Sequence, residues 1–225
     1  MSDVQRWDYS GTGLEAQVPA APWDLVQAWV RDARDASSER PDVHEPSAMA
    51  VATVDADGMP DVRTVLLRFL DPRGPGFVTS RHSAKAAQIR QTGVAAATLT
   101  WSALFRAIRF RGRVAEIEAE VTTDYWRHRP WGSRISARSS IQSHPVESRG
   151  VLEATAAEVA QEFPDRGGPD DVPVPDDWVG YRIECREVEF WAGRADRLHD
   201  RIRYRAAAVA RLDDDAAWEV QRLQP

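Results

Sequence analysis

WVGYRIECREVEFWAGRADRLHDRIRYR, Trp178–Arg205, is the stretch that decides the architecture. WVGYRIECREVEFWA and LHDRIRYR read as two strands, dense in β-branched and aromatic residues. Within it, EFWAGRADRLHDR (Glu189–Arg201) ends one strand in aromatic residues and places Arg197, His199 and Arg201 on alternate positions. Period-two geometry puts those three side chains on one strand face. Three cationic or titratable groups on one face repel one another unless an anion or acid lies opposite. A purely structural role suits one such residue better than all three.

Outward from this stretch the pattern remains strand-like. AAWEVQRL closes the chain in the same style. Upstream, FRAIRFRGRVAEIEAE alternates apolar and charged residues, as a half-buried antiparallel strand does. SAMAVATVD, the turn signal DADG and VRTVLLRFL outline a hairpin; GFVTS and VAAATLTW add further strands. Helices are predicted at PWDLVQAWVRDARDA, with Pro22 near its start, at SAKAAQIRQT, with Ser83 as N-cap, over Asp124–His128, which Pro130 ends, and at ESRGVLEATAAEVAQEF. Pro164–Asp177, rich in Pro, Gly and Asp, reads as an exposed loop. The expectation is an α+β fold: a small antiparallel β-barrel with peripheral helices, residues 22–225 forming one domain behind a flexible arm over 1–21. No GxGxxG follows the first strand, which argues against a Rossmann fold.

Composition narrows the function classes. A net charge of −6 over 225 residues gives no reason to expect nucleic acid or an anionic membrane as partner. Arginine greatly outnumbers lysine, and an acidic chain with locally concentrated arginine suits small anions such as phosphate monoesters; a GC-rich genome explains most of that count, though not its placement. Cys185 is the only cysteine, so no intramolecular disulfide or cysteine zinc site can form. The five histidines lack metal-ligand spacing, and no metal is expected. With no secretory signal and no apolar run long enough to cross a bilayer, a cytoplasmic protein is expected.

Three further clusters could carry chemistry. Arg63 and Arg68 bracket the apolar run of VRTVLLR and, five apart on a strand, fall on opposite faces; the alternative is two surface arginines on an edge strand. TSRHSAK (Thr79–Lys85) joins a strand end to a helix N-terminus with hydroxyls and a lysine, a natural phosphate cradle, although many helices start with serine. DYWRHRPWGSRISARSS offers Tyr125, Arg129 and Ser133 for a second phosphomonoester; the alternative is a solvated basic loop.

The order and spacing of these clusters resemble the pyridoxamine 5′-phosphate oxidase family from about Pro22 to the C-terminus. The resemblance is carried by EPSAMAVATVDADGMP, RTVLLR, the spacing of Tyr125, Arg129-Pro130 and Ser133, IQS at Ile141–Ser143, VEFW followed by RLHDR, and the closing WEVQRLQP. It implies an FMN-binding split β-barrel, antiparallel and Greek-key-like, with a C-terminal dimerisation region and FMN at a homodimer interface. By the same resemblance, FMN would be met by Arg63, Thr64, Val65, Leu66, Leu67, Arg68, Val78, Thr79, Ser83, Lys85, Gln142, Ser143, Trp191 and Arg201. The substrate phosphate would be met by Arg68, Tyr125, Arg129 and Ser133, while Arg197 and His199 would cover the pyridine ring as catalytic residues. The activity implied is oxidation of pyridoxamine or pyridoxine 5′-phosphate to pyridoxal 5′-phosphate, with dioxygen as acceptor and hydrogen peroxide released.

The chain departs from the family's usual pattern at four positions: Arg68 stands for lysine, Val78 for an aromatic residue, Ala84 for arginine and Ala107 for glutamine. Flavin contacts are thinned while the substrate set is retained. The rival expectations are an oxidase of another aromatic ring compound, of the phenazine-pathway type, and a non-catalytic flavin- or haem-binding split-barrel protein.

Overall fold

The computed structural model describes Tyr9, Gly11, Gly13, Leu14 and residues 17–225. Its first hairpin forms where the turn chemistry demands it. The Asp55 carboxylate accepts the backbone N–H groups of Asp57 (3.0 Å) and Met59 (2.8 Å), an Asx turn with Gly58 at φ +82°. β1 (Ala48–Val54) and β2 (Pro60–Leu66) pair antiparallel across it. β2 ends at Leu66, so Arg68 is not a strand residue as the period-two reading supposed. The Leu67 and Arg68 N–H groups turn to the carbonyls of Ser47 (2.8 Å) and Gly76 (2.9 Å), bending the chain into β3 (Phe69–Asp71).

The predicted strands follow: β4 (Gly74–Ser80), β5 (Val94–Trp101), β6 (Arg106–Glu116), β7 (Trp178–Ala192), β8 (Asp200–Arg205) and β9 (Glu219–Leu223). They form one curled antiparallel sheet in the order β2-β1-β5-β6-β7-β4-β3, with β8 on β7 and β9 on β8. β7 is the spine. Its first half pairs with β4, its second half with β8, and β6 runs along the other edge. The β6/β7 register shifts between Arg111 and Gly112. A Cβ on Gly112 would lie 1.8 Å from the Glu184 carbonyl oxygen, so this close approach needs glycine.

Alternation fills the interior: Ile108 and Phe110 of β6 and Ile183, Val188 and Phe190 of β7 are fully buried, each burial contributing about 2 kcal/mol of transfer free energy. Helix α1 (Trp23–Glu39) adds Val26, Trp29, Val30 and Ala33 at helical spacing. α2 (Ala84–Thr92) starts at Ser83, whose hydroxyl accepts the Ala86 N–H, and stops at Gly93 in the left-handed conformation. α3 (Ala119–Arg127), α4 (Trp131–Ser139) and α5 (Arg149–Glu162) enclose a second small core of Trp126, Ile135 and Val172, packed by Trp131, Phe163 and Trp178. Sequence reading missed α4. Pro130 does stop α3, but its fixed φ then serves as the N-cap of the next helix.

The predicted arm lies partly outside the described residues. Where it is described it packs on the barrel: Leu14 N–H reaches the Asp200 carboxylate (3.0 Å), and the Pro19 carbonyl accepts the Tyr204 hydroxyl (3.0 Å). Among the described residues no helix is long and apolar enough to cross a membrane.

Candidate functional site

β4 delivers Thr79 to the start of α2, and a loop from the far side of α4 brings Gln142 and Ser143 onto the same spot. The Thr79 hydroxyl lies 3.1 Å from Ser83 Oγ and donates to Gln142 Oε1 at 2.6 Å. Lys85 Nζ donates to Thr79 Oγ1 (3.2 Å) and Gln142 Oε1 (3.1 Å). Ser143, held at φ +71°, accepts the Ala84 N–H at 3.2 Å and so caps the first turn of α2. Lys85 is the only lysine among the chain's 29 Lys and Arg residues, and it is 6% exposed. No carboxylate pairs with it among the described residues, so burial, followed by the nearby Arg63 charge, lowers its amine to about 8. Arg63 is itself anchored to Thr53 Oγ1 (2.6 Å), Gln88 Oε1 (2.9 Å) and Asp61. Two hydroxyls, an amide, a helix N-terminus and a buried cation without a counter-ion fit a phosphomonoester.

A second cationic site forms between β3 and the small helical core. Arg129, the residue before Pro130, stacks over Trp178 (4.8 Å) and Trp126 (5.3 Å). Its Nη1 is buried without a hydrogen-bond partner among the described residues, and burial pushes its guanidinium below the usual arginine value. Tyr125 lies edge-on to Phe69 (5.5 Å), with the exposed Arg68 guanidinium 5.9 Å from its ring. Ser133 sits in the first turn of α4, half-buried. The structure thus brings Arg68, Tyr125 and Arg129 together, with an unsatisfied buried donor among them.

The third cluster differs from its sequence reading. Arg197, His199 and Arg201 do not share a strand face, because β8 begins only at Asp200 and Arg197 belongs to a tight 3-10 turn, Ala195–Arg197. Asp196 and Arg197 both take left-handed backbone (φ +57° and +62°), a costly pair of conformations for non-glycine residues that reverses the chain so that Asp200 pairs with Ala192. His199 Nδ1 accepts the Arg194 N–H (3.1 Å), leaving the neutral ring's proton on Nε2. The ring packs against Trp191 (4.8 Å) and Tyr9 (5.1 Å). Arg201 faces Trp191 across the β7/β8 ladder, and Ala107 faces Trp191 from β6.

These clusters do not all converge within one chain. Thr79 pairs with Val179 and Arg201 with Trp191, at opposite ends of β7 and roughly 40 Å apart along an extended strand. Thr64, Val65 and Leu66 lie on β2 against β1, Leu67 is buried beyond it, and half-buried Val78 precedes Thr79 on β4.

Comparison with known proteins decides the family. Residues 39–163 match the model described as "Pyridoxamine 5'-phosphate oxidase", and residues 178–225 match "Pyridoxine 5'-phosphate oxidase C-terminal dimerisation region". The chain belongs to the pyridoxamine 5′-phosphate oxidase family. It is 41% identical to the pyridoxine/pyridoxamine 5′-phosphate oxidase of Saccharopolyspora erythraea, over 98% of this chain and 93% of that one. It is 43% identical to that of Kineococcus radiotolerans, over 98% and 97%. Among solved structures it is similar to PhzG from Burkholderia lata 383 in complex with tetrahydrophenazine-1-carboxylic acid, with a TM-score of 0.81, 31% identity and coverage of 96% and 100%. A pyridoxamine 5′-phosphate oxidase-related, FMN-binding protein from Nostoc punctiforme shares the fold: TM-score 0.68, 18% identity, coverage of 91% and 98%. The expected split barrel is therefore the fold, in an oxidoreductase family with a C-terminal dimerisation region.

Among the described residues one carboxylate is buried. Glu189, 6% exposed, binds both Arg109 and Arg201. Sequence reading passed over it, although an acid two residues before Trp191 on the same strand face was a visible signal.

Proposed function

We propose that this chain is an FMN-dependent oxidase that converts pyridoxamine 5′-phosphate or pyridoxine 5′-phosphate to pyridoxal 5′-phosphate, working as a homodimer. The observation that carries the reading is the pair of separate anion sites, one around Lys85 and one around Arg129 with its unpartnered buried Nη1. A flavin mononucleotide and a phosphorylated pyridine bring two phosphomonoesters, one for each. The chemistry that bound FMN would supply is a two-electron acceptor for the hydride on the substrate's C4′ carbon, with dioxygen as the final acceptor and hydrogen peroxide as its product.

The protein's own residues bind and orient. Lys85, Arg63, Thr79, Ser83, Gln142 and Ser143 hold the cofactor phosphate, while Arg129, Arg68, Tyr125 and Ser133 hold the substrate phosphate. Arg197 supplies positive charge beside the pyridine ring, and the His199 Nε2 proton offers a donor next to it. Trp191 and Arg201 complete the cofactor site from the opposite end of β7, a separation that supports their delivery by the second copy.

The likeness to PhzG favours one rival, oxidation of a tricyclic ring acid, whose carboxylate could also be met by an arginine. Anaerobic mixing separates the two. Pyridoxamine 5′-phosphate should bleach the flavin absorbance of the loaded protein; bleaching by a dihydro- or tetrahydrophenazine carboxylate and not by pyridoxamine 5′-phosphate would transfer the assignment to the rival.

A further inference from the structure

We propose that Glu189 is a positioning residue that sets the orientation of Arg201 for the cofactor, and that Arg201 without it is an ill-directed cation. Glu189 sits on β7 two residues before Trp191, so both side chains leave the same face of the sheet. One carboxylate oxygen takes Nε and Nη2 of Arg201 at 2.9 and 2.8 Å. The other takes Arg109 Nη2 at 2.6 Å, and Arg109 is steadied in turn by Glu187 at 2.9 Å. The remaining terminal nitrogen of Arg201, Nη1, donates to the Gln224 carbonyl at 3.0 Å. Three of the five guanidinium N–H groups are thus committed within the chain.

This arrangement orients as well as neutralises. A lone arginine on a strand samples many rotamers; here the plane is held along its Nε–Nη2 edge and at Nη1, leaving one N–H on each terminal nitrogen for an incoming acceptor. Because Arg109 lies between Glu187 and Glu189, the carboxylate of Glu189 is itself held rather than free to swing. The Gln224 contact gives the last residues of the chain a role in the same device.

The inference rests on the reading of Arg201 as an FMN contact, and a double-mutant cycle on FMN affinity keeps the two apart. FMN dissociation constants are measured by flavin fluorescence quenching for wild type, E189Q, R201A and the double variant. The expected result is about tenfold weaker binding in E189Q, weaker binding in R201A, and no further loss when E189Q is added to R201A. A purely structural Glu189 would weaken binding by the same factor in both backgrounds, and that additivity overturns the inference. An unchanged affinity in E189Q overturns it as well. Should R201A bind FMN as wild type does, both the contact and the inference fall, and a wild-type chain that takes up no FMN overturns the oxidase reading and the inference together. If E189Q does not fold, E189D keeps the charge but is one methylene too short to span both arginines, and it should show the same coupling.

Discussion

The Lys85 ammonium donates to Gln142 Oε1 at 3.1 Å across 57 residues of sequence, joining α2 to the loop that follows α4. The bond satisfies the lysine's geometry but not its charge, since both its protein partners are neutral oxygens. A buried cation solvated only by dipoles is prepared for an anion.

Lys85→Met should therefore weaken FMN binding by roughly tenfold or more at neutral pH. The pH profile carries the sharper prediction. In the ligand-free fold the amine sits at about 8 against an ordinary 10.5. A phosphate dianion favours the charged form, so complex formation above pH 8 takes up a proton and wild-type affinity falls as pH rises through 8. The sign for stability is opposite. Burial of the charged amine penalises the ligand-free fold fully below pH 8, and the penalty fades between 8 and 10.5, where the unfolded chain binds more protons. A flat affinity profile from pH 7 to 9 in the wild type would contradict this assignment. As the sole lysine, Lys85 also permits a direct reading: FMN should slow its modification by an amine-selective reagent.

Arg129→Met should raise KM for pyridoxamine 5′-phosphate roughly 10- to 100-fold by removing a charge-assisted donor to the phosphate, with a smaller change in kcat. Unphosphorylated pyridoxamine, already lacking that contact, should be used about equally by both proteins. Equal losses on the two substrates would mean that Arg129 supports the Trp126/Trp178 core rather than the phosphate.

Arg197→Met should slow anaerobic flavin reduction by about 100-fold or more while leaving FMN affinity within a few-fold of wild type. Stopped-flow absorbance reads the first quantity and fluorescence titration the second. A variant that reduces its flavin at the wild-type rate would remove Arg197 from the ring-facing role.

Gly112→Ala tests the spine of the barrel. Its methyl would meet the Glu184 carbonyl at 1.8 Å, a backbone clash that only a shift of β6 against β7 can relieve. A loss of about 3 kcal/mol, seen as a fall in Tm of about 6–12 °C, is expected; a variant as stable as wild type would mean that the bulge can move freely.

Much of this molecule was legible in the chain. Turn residues such as Asp55 and Gly58, the Ser83 cap, and the alternation of Ile108 and Phe110 are local signals, each read within a few residues because backbone geometry imposes them. The same locality explains the errors. Period two does not extend beyond β2 or ahead of β8, so Arg68 lies past the end of one strand, and Arg197 and His199 precede the start of the other. α4 escaped notice because a proline that ends one helix can also open the next.

The sequence by itself determined the family, the strand order's raw material and the residue types available for two phosphates. Only the tertiary structure decided that Arg129 stacks over Trp126 and Trp178 with its Nη1 buried and without a hydrogen-bond partner among the described residues, that Ser143 caps α2, and that Glu189 holds Arg201. The physical reason is the same in each case: a hydrogen bond or burial spanning the barrel exists only once the sheet has curled, and β7, which pairs with β6, β4 and β8, determines which distant residues meet.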